Sequence, residues 1–461
     1  MIKNNIKIIT TSIFISWVFF WLSISTSPHD LENINFNNFF SLVNAIRISV
    51  PLILSIIILI VLIFILCSKI LKLKYKFSIT KIYFTSFILY FSLQYLGLYS
   101  EVNFFNNKLI NFELHYYFLL NLSLGSLGSL LFFKIFNLKT SQSSHLMTLS
   151  ITIISVACFL TLIKLFQNYS INDHIYFYHS ISLDDKFFDQ TFPRVTGAAR
   201  SLSLIVILLF LSNQFIEKKK IFFSIEFLFL ILLIMIVWGI QSRGAILCLY
   251  ISLFFLIFII KSSIKSKFYK ILIFIIVPIF IFEIYKNLLI ERSPVKNIDK
   301  NIDKLYNEEL SSKQALNRFN KKQGSSGRLQ LWKTSLNKYE MNRFFGYGPQ
   351  ADRLLISTSL AQKYGNNVSN GFIYAFLCSG YLGIFSFIIL NLLIYYSLIM
   401  IVFKKKIFQQ KRKFIEKLST IYLIFFCLRI VFENSYAVFS IDFLITSLSS
   451  FIVINYLEKS T

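Results

Sequence analysis

Apolar runs long enough to cross a bilayer follow one another along almost the whole chain, and one long hydrophilic stretch, 291–370, interrupts them late. A helix rises 1.5 Å per residue, so roughly 18–20 apolar residues cover a hydrocarbon core of about 30 Å. Twelve segments meet that length: 6–25, 47–67, 79–99, 114–135, 147–167, 198–215, 221–240, 244–261, 269–290, 371–402, 414–432 and 437–457. The pattern predicts an all-α fold, a polytopic transmembrane bundle of about 12 helices. Residues 1–461 then form a single integral membrane domain, with the 291–370 loop between the ninth and tenth helices. The tenth segment is too long for one crossing, since 32 residues span about 48 Å against a core of about 30 Å. Gly380 and Gly383 are expected to bend it or admit a close neighbour, with its first turns standing outside the bilayer.

The loop has a pattern of its own. Leu329, Trp332, Leu336 and Tyr339 recur at spacings of three and four, with Ser325 or Ser326 available as N-cap. That periodicity predicts a short amphipathic helix near 326–340 whose apolar stripe lies on the membrane surface or against the bundle. Phe344-Phe345-Gly346-Tyr347-Gly348-Pro349 reads as a turn, because glycine supplies unusual dihedrals and proline stops a helix. A second polar excursion, 168–197, separates the fifth and sixth segments. Neither a soluble domain nor an internal repeat is apparent.

Composition agrees with a membrane chain: 56% of the residues are hydrophobic and only 15% charged, against roughly 25% charged in soluble domains. The net charge of +25 is distributed over alternate loops, not gathered on one face, which argues against a nucleic-acid partner. Lys69 to Lys76, Lys134 and Lys139, Lys218 to Lys220, Lys261 to Lys270 and Lys404 to Lys413 mark one side. Under the positive-inside rule that side is cytoplasmic, so both termini lie inside and the 168–197 and 291–370 excursions outside. The five cysteines lie within apolar segments without paired spacing or histidine neighbours, which fits small buried hydrophobes and points to neither disulfide nor metal. The first segment lacks a small-residue cleavage site and reads as a retained helix.

Candidate chemistry lies on the outer side. Arg194 and Arg200 flank Gly197 where the sixth helix begins, and Arg243 stands where the eighth begins. The planar guanidinium donates two parallel hydrogen bonds and does not lose its charge, which suits a phosphate. Both helices start at the outer face, so their free N–H groups and positive dipole ends favour an anion there. The plainer alternative is arginines that snorkel to the interface or hold lipid phosphates. Outer carboxylates (Glu340, Asp352, Asp184, Asp185, Asp189, Glu308, Glu309, Glu433) and the outer histidines His174 and His179 are candidates to accept a proton from a sugar hydroxyl. Solvated loop charge is the bland reading of each. No Asp-x-Asp pair or histidine cluster signals a metal, so a reaction without metal or other cofactor is favoured.

Four patterns in order then resemble the O-antigen ligase and O-antigen polymerase superfamily of bacterial envelope glycosyltransferases. They are Arg194-Val195-Thr196-Gly197; Ser242-Arg243-Gly244-Ala245; Gly327-Arg328-Leu329-Gln330-Leu331-Trp332 with Phe345-Gly346-Tyr347-Gly348-Pro349; and Ser369-Asn370 ahead of Leu382-Gly383. The resemblance covers about 190–385. It implies a GT-C-like membrane enzyme of the bacterial inner membrane with a periplasmic active site. A glycan would move from an undecaprenyl-pyrophosphate-type carrier to a hydroxyl of lipid A-core, or to another carrier-linked glycan. The catalytic candidates are then Arg194 and Arg243, which by this resemblance hold the pyrophosphate, with Asn370 and Asp352. Arg200, Arg328, Trp332, Tyr347 and Ser369 are the substrate-binding ones. Cations fixed around a departing pyrophosphate stabilise its developing charge.

The chain departs from the family at one place. Members commonly carry His-Asn at the head of the helix after the loop, and this chain has Ser369-Asn370. A serine hydroxyl does not act as a base near neutral pH, so Asp352, Glu340, His174 and His179 become candidates for that role, while Asn370 is left to orient a sugar. The competing class, a flippase or transporter of the same lipid-linked glycan, predicts polar residues lining a path and paired interrupted helices. Neither pattern is evident.

Overall fold

The computed structural model describes residues 79–100, 195–215, 225–239, 242–259, 264–281, 283–284, 328–339, 344–348, 351–355, 368–403, 414–433 and 441–460. Among these the regular structure is entirely helical. The helices are α1 (Ile79–Ser100), α2 (Val195–Phe215), α3 (Ile225–Gly239), α4 (Arg243–Ile259), α5 (Ile264–Ile271), α6 (Arg328–Asn337), α7 (Asp352–Leu355), α8 (Gly371–Phe403), α9 (Phe414–Arg429) and α10 (Ile441–Ser460). Eight of the twelve expected segments have counterparts here. The first, second, fourth and fifth lie outside the described residues, as do the 168–193 part of the second excursion and much of the long loop. By length and composition one described helix, Gly371–Val402, is apolar and long enough to cross a membrane; Leu202–Leu211, Leu228–Trp238 and Arg243–Phe258 are shorter apolar helices.

The described helices fall into two compact units. In the first, α2 packs against α3 and α4. Its interior is aliphatic, with Leu204, Val206, Ile207, Ile234, Leu249 and Leu253 fully or almost fully enclosed. Serines inside it satisfy themselves: Ser203 donates to the Ala199 carbonyl at 2.7 Å and Ser252 to that of Cys248 at 2.7 Å. This is how a hydroxyl survives in an apolar helix interior. α5 runs into a π-helical turn, Leu272–Ile276, where Phe274 meets Phe210 edge to face with ring centroids 5.0 Å apart. Lys267 closes the last turn of α4 by donating to the Phe258 carbonyl at 2.8 Å, a basic side chain on otherwise orphaned carbonyls.

The second unit contains α1 and α6 to α10. Its centre is the long contact between α1 and α8, joined by the α9–α10 pair. Aromatic rings fill it: Tyr83, Phe87, Tyr90 and Phe387 are fully enclosed, and Tyr90 and Phe387 lie 5.1 Å apart. An ion pair between Arg429 and Asp442 joins the end of α9 to the start of α10, with both side chains at most 5% exposed.

α8 departs from a rod. Gly380 sits at φ 68°, ψ −163°, a conformation open essentially to glycine alone, and splits the helix into two limbs. The fold-back is large, because Phe372 and Phe387 would lie about 22 Å apart along a straight helix, whereas their ring centroids are 5.4 Å apart. The second limb, 381–403, measures about 34 Å at 1.5 Å per residue, which matches a bilayer core. The excess length noted in the sequence is therefore a short first limb, 371–379, folded onto the loop.

Candidate functional site

Turning the chain at Gly380 removes the i+4 donors that Leu377 and Cys378 would otherwise have. Such buried carbonyls are costly unless paired. The loop supplies the partners: Tyr347 N–H donates to the Leu377 carbonyl at 3.0 Å and Gly348 N–H to that of Cys378 at 2.9 Å. A close fit makes this possible. Gly346, at φ 69°, approaches so near that a Cβ there would meet the Ser379 and Gly380 nitrogens at 2.6 Å. Gly97 of α1 allows the same approach from the other side, where a Cβ would meet the Phe345 carbonyl at 2.6 Å and the Gly348 nitrogen at 2.8 Å. The Phe-Gly-Tyr-Gly sequence is thus a turn whose backbone closes a broken helix.

The other end of the first limb is closed as completely. Asn370 is its N-cap, and its Oδ1 accepts from Phe372 N–H and Ile373 N–H, each at 3.0 Å. Its own carbonyl accepts from Tyr374 N–H at 2.9 Å, and Gly371 N–H donates to the Ile430 carbonyl at 2.8 Å. Asn370 Nδ2 donates to the Val431 carbonyl at 3.1 Å, so one side chain ties the start of α8 to the end of α9. With the N–H groups of residues 371 to 374 all engaged, this helix start is no anion site. Ser369, just before it, takes φ 49° and is half-buried.

Val368 is held from both sides. Its N–H donates to Asp352 Oδ2 at 3.0 Å, and its carbonyl accepts from Trp332 Nε1 at 2.6 Å. Asp352 is 1% exposed. The cluster beneath consists of Leu331, Tyr339, Tyr347, Ala351, Leu355, Val368, Tyr374, Leu377 and Cys378, with Trp332 and Phe376 packed at its edge. Tyr339 meets Tyr347 edge to face at 5.6 Å and Phe376 at 4.4 Å. Loop and first limb therefore share one core.

The expected helix near 326–340 exists as α6, and of the expected stripe Trp332 and Tyr339 meet the core. Leu331, Ser335 and Tyr339 are buried, while Leu329 and Leu336 are 59% and 38% exposed. Ser335 fits inward because it is small and donates to the Leu331 carbonyl at 2.8 Å, which lets α6 approach α8. The proposed caps Ser325 and Ser326 lie outside the described residues. Arg328, the first residue of α6, pairs with Glu433 at 3.3 Å. Sequence reasoning listed Glu433 only among many outer carboxylates, since nothing local to 433 announces a partner 105 residues earlier.

These contacts bring Arg328, Trp332, Tyr347, Asp352, Ser369 and Asn370 into one unit. Arg200 and Arg243 belong to the other. α2 begins at Val195, so Arg200 lies more than a turn inside it and is 8% exposed. Arg243 is half-buried at the first position of α4, where Ser242 accepts from Ile246 N–H at 3.0 Å. The helix dipole disfavours a cation at that end by roughly 0.3–1 kcal/mol. Arg194 lies outside the described residues, and with it the expected convergence on Arg243; Glu340, Asp184, Asp185, Asp189, Glu308, Glu309, His174 and His179 lie outside as well.

The model of one family, described as O-Antigen ligase, matches residues 227–388. That stretch is similar to O-antigen ligases. It runs from within α3 to just past the fold-back in α8, and it contains Arg243, Arg328, Trp332, Tyr347, Asp352, Ser369 and Asn370. Arg194, Arg200 and Glu433 fall outside it, and the match covers less than half of the chain. No curated protein and no solved structure matches the chain. The matched stretch thus spans the turn, the break in α8 and the capped helix start described above.

Proposed function

We propose that this chain is a glycosyltransferase of the O-antigen ligase kind, multi-pass in the bacterial inner membrane, with both termini cytoplasmic and its site periplasmic. Its donor is a glycan on an undecaprenyl-pyrophosphate-type carrier. Its acceptor is a hydroxyl of lipid A-core. The observation that carries this reading is the O-antigen ligase match over 227–388, which encloses the loop and the folded helix that the loop closes. The acceptor oxygen attacks the anomeric carbon, the bond to the pyrophosphate oxygen breaks, and the carrier pyrophosphate leaves with the electron pair.

Roles follow from chemistry. Arg243 and Arg194 hold the leaving pyrophosphate, where fixed cations offset charge as it develops and no metal is required. Arg200 assists as a substrate-binding cation. Trp332 and Tyr347 hold the loop turn against α8, and Asp352 and Asn370 set the backbone of 368–371, so their contribution to catalysis is placement of Ser369 and the groups beside it.

The test is the lipopolysaccharide of a strain lacking this chain. Loss of all glycan from the core supports ligation. A core bearing a single repeat unit supports the related reading, polymerisation of carrier-linked units. Unchanged lipopolysaccharide contradicts both.

A further inference from the structure

The structure raises a question that the matched stretch leaves open, namely which group takes the proton from the acceptor hydroxyl. A general base has to be a group that a hydroxyl can reach, at hydrogen-bond distance and without first breaking the fold. Ser369 has no basic group. Asp352 is 1% exposed and accepts from Val368 N–H. Asp442 is enclosed against Arg429, its side chain 3% exposed. Glu416 and Glu458 sit near the far ends of α9 and α10, about 20 Å or more along those helices from the residues that meet the start of α8.

Glu433 differs from all of these. It follows α9 by one turn, with Phe432 N–H and its own N–H both donating to the Arg429 carbonyl at 2.9 Å. The preceding residues are fastened to the head of α8: the Ile430 carbonyl accepts from Gly371 N–H and the Val431 carbonyl from Asn370 Nδ2. Its carboxylate is therefore carried on backbone tied to the residues beside Ser369. It is 17% exposed, in contact with Arg328, itself 31% exposed. One guanidinium nitrogen lies 3.3 Å from Oε1. The pair is partly buried, yet both side chains keep a face that a hydroxyl can reach.

We propose that Glu433 is the general base of the reaction, with Arg328 as the residue that aims its carboxylate; this rests on the glycosyltransferase reading above. As the acceptor oxygen attacks the anomeric carbon, its proton passes to the Glu433 carboxylate and the pyrophosphate departs with the bonding electrons. Glu433 lies beyond 388, outside the matched region, one turn past the end of α9.

The experiment uses the full-length chain in native membranes that contain the host's own lipid-linked glycan, with the host's core lipid as acceptor and sodium azide as an alternative nucleophile. Azide carries no proton and needs no base. In Glu433→Ala membranes, transfer to the core lipid is expected to fall by about 10²–10⁴-fold, while formation of glycosyl azide continues within a few-fold of the unsubstituted chain. Arg328→Gln is expected to lower transfer to the core lipid more than azide transfer, and Arg328→Lys to restore part of it. If Glu433→Ala lowers both reactions equally, Glu433 is merely structural and the proposal is wrong. If Glu433→Ala transfers to the core lipid normally, the base is elsewhere and the transferase reading survives. If the unsubstituted chain transfers glycan to neither nucleophile, the transferase reading itself fails, and this proposal with it.

Discussion

Asp352 and Glu433 are both acidic residues near Ser369, and their surroundings assign them different work. The Asp352 carboxylate is enclosed and accepts a backbone N–H from Val368. Removing an acceptor from a buried donor costs about 1–3 kcal/mol. Asp352→Ala is therefore expected to lower stability by that amount, measured by thermal unfolding of the detergent-solubilised chain. Asp352→Asn keeps a carbonyl oxygen in the same place and is expected to retain most of both stability and activity. A base at 352 would instead make the Asn variant as inactive as the Ala variant. Asn370 is testable in the same way. Loss of its cap in Asn370→Ala is expected to cost about 0.5–2 kcal/mol, and Asn370→Asp, which keeps the Oδ acceptor but not the Nδ2–H bond to Val431, less.

Among the elements, α8 was the most legible and α6 the least. A run of 32 apolar residues is too long for one crossing, so with Gly380 and Gly383 in it a bend or a close contact was expected, and the break falls at Gly380. What closes the break could not be read locally, since the Tyr347 and Gly348 N–H groups come from thirty residues upstream in a separate turn. α6 was located from its periodicity, and its expected stripe divides: Trp332 and Tyr339 meet the core while Leu329 and Leu336 are exposed. Apolar periodicity alone could not say that Leu329 and Leu336 face outward while Ser335 sits inside. The Gly346–Gly380 approach is the most demanding part of this arrangement. Alanine at 380 would take a positive φ and collide with the Phe344 carbonyl. Gly380→Ala is expected to destabilise by more than about 1–3 kcal/mol, visible as loss of monodisperse protein on size exclusion, whereas Gly97→Ala should act through the Phe345 carbonyl it meets.

For the whole molecule, charge and hydropathy give an expected topology, and labelling tests it. Basic residues cluster on alternate loops, and that pattern puts α6 and the Phe-Gly-Tyr-Gly turn outside and Lys267 inside. Lys333→Cys, at an exposed position of α6, is expected to react with a membrane-impermeant maleimide in intact spheroplasts, and Lys267→Cys only after permeabilisation; the reverse result would invert the topology. The all-helical class was legible from composition, and the fastening of α8 to the loop and to α9 was not, because each link is a long-range backbone contact. The central claim is that glycan leaves a lipid pyrophosphate for a hydroxyl, and it is measured most directly on purified full-length chain in liposomes. With extracted lipid-linked glycan and lipid A-core present, the account predicts carrier pyrophosphate released in step with glycan joined to the core, and loss of both in Arg243→Ala. Carrier pyrophosphate that stays attached to its glycan under these conditions would contradict it.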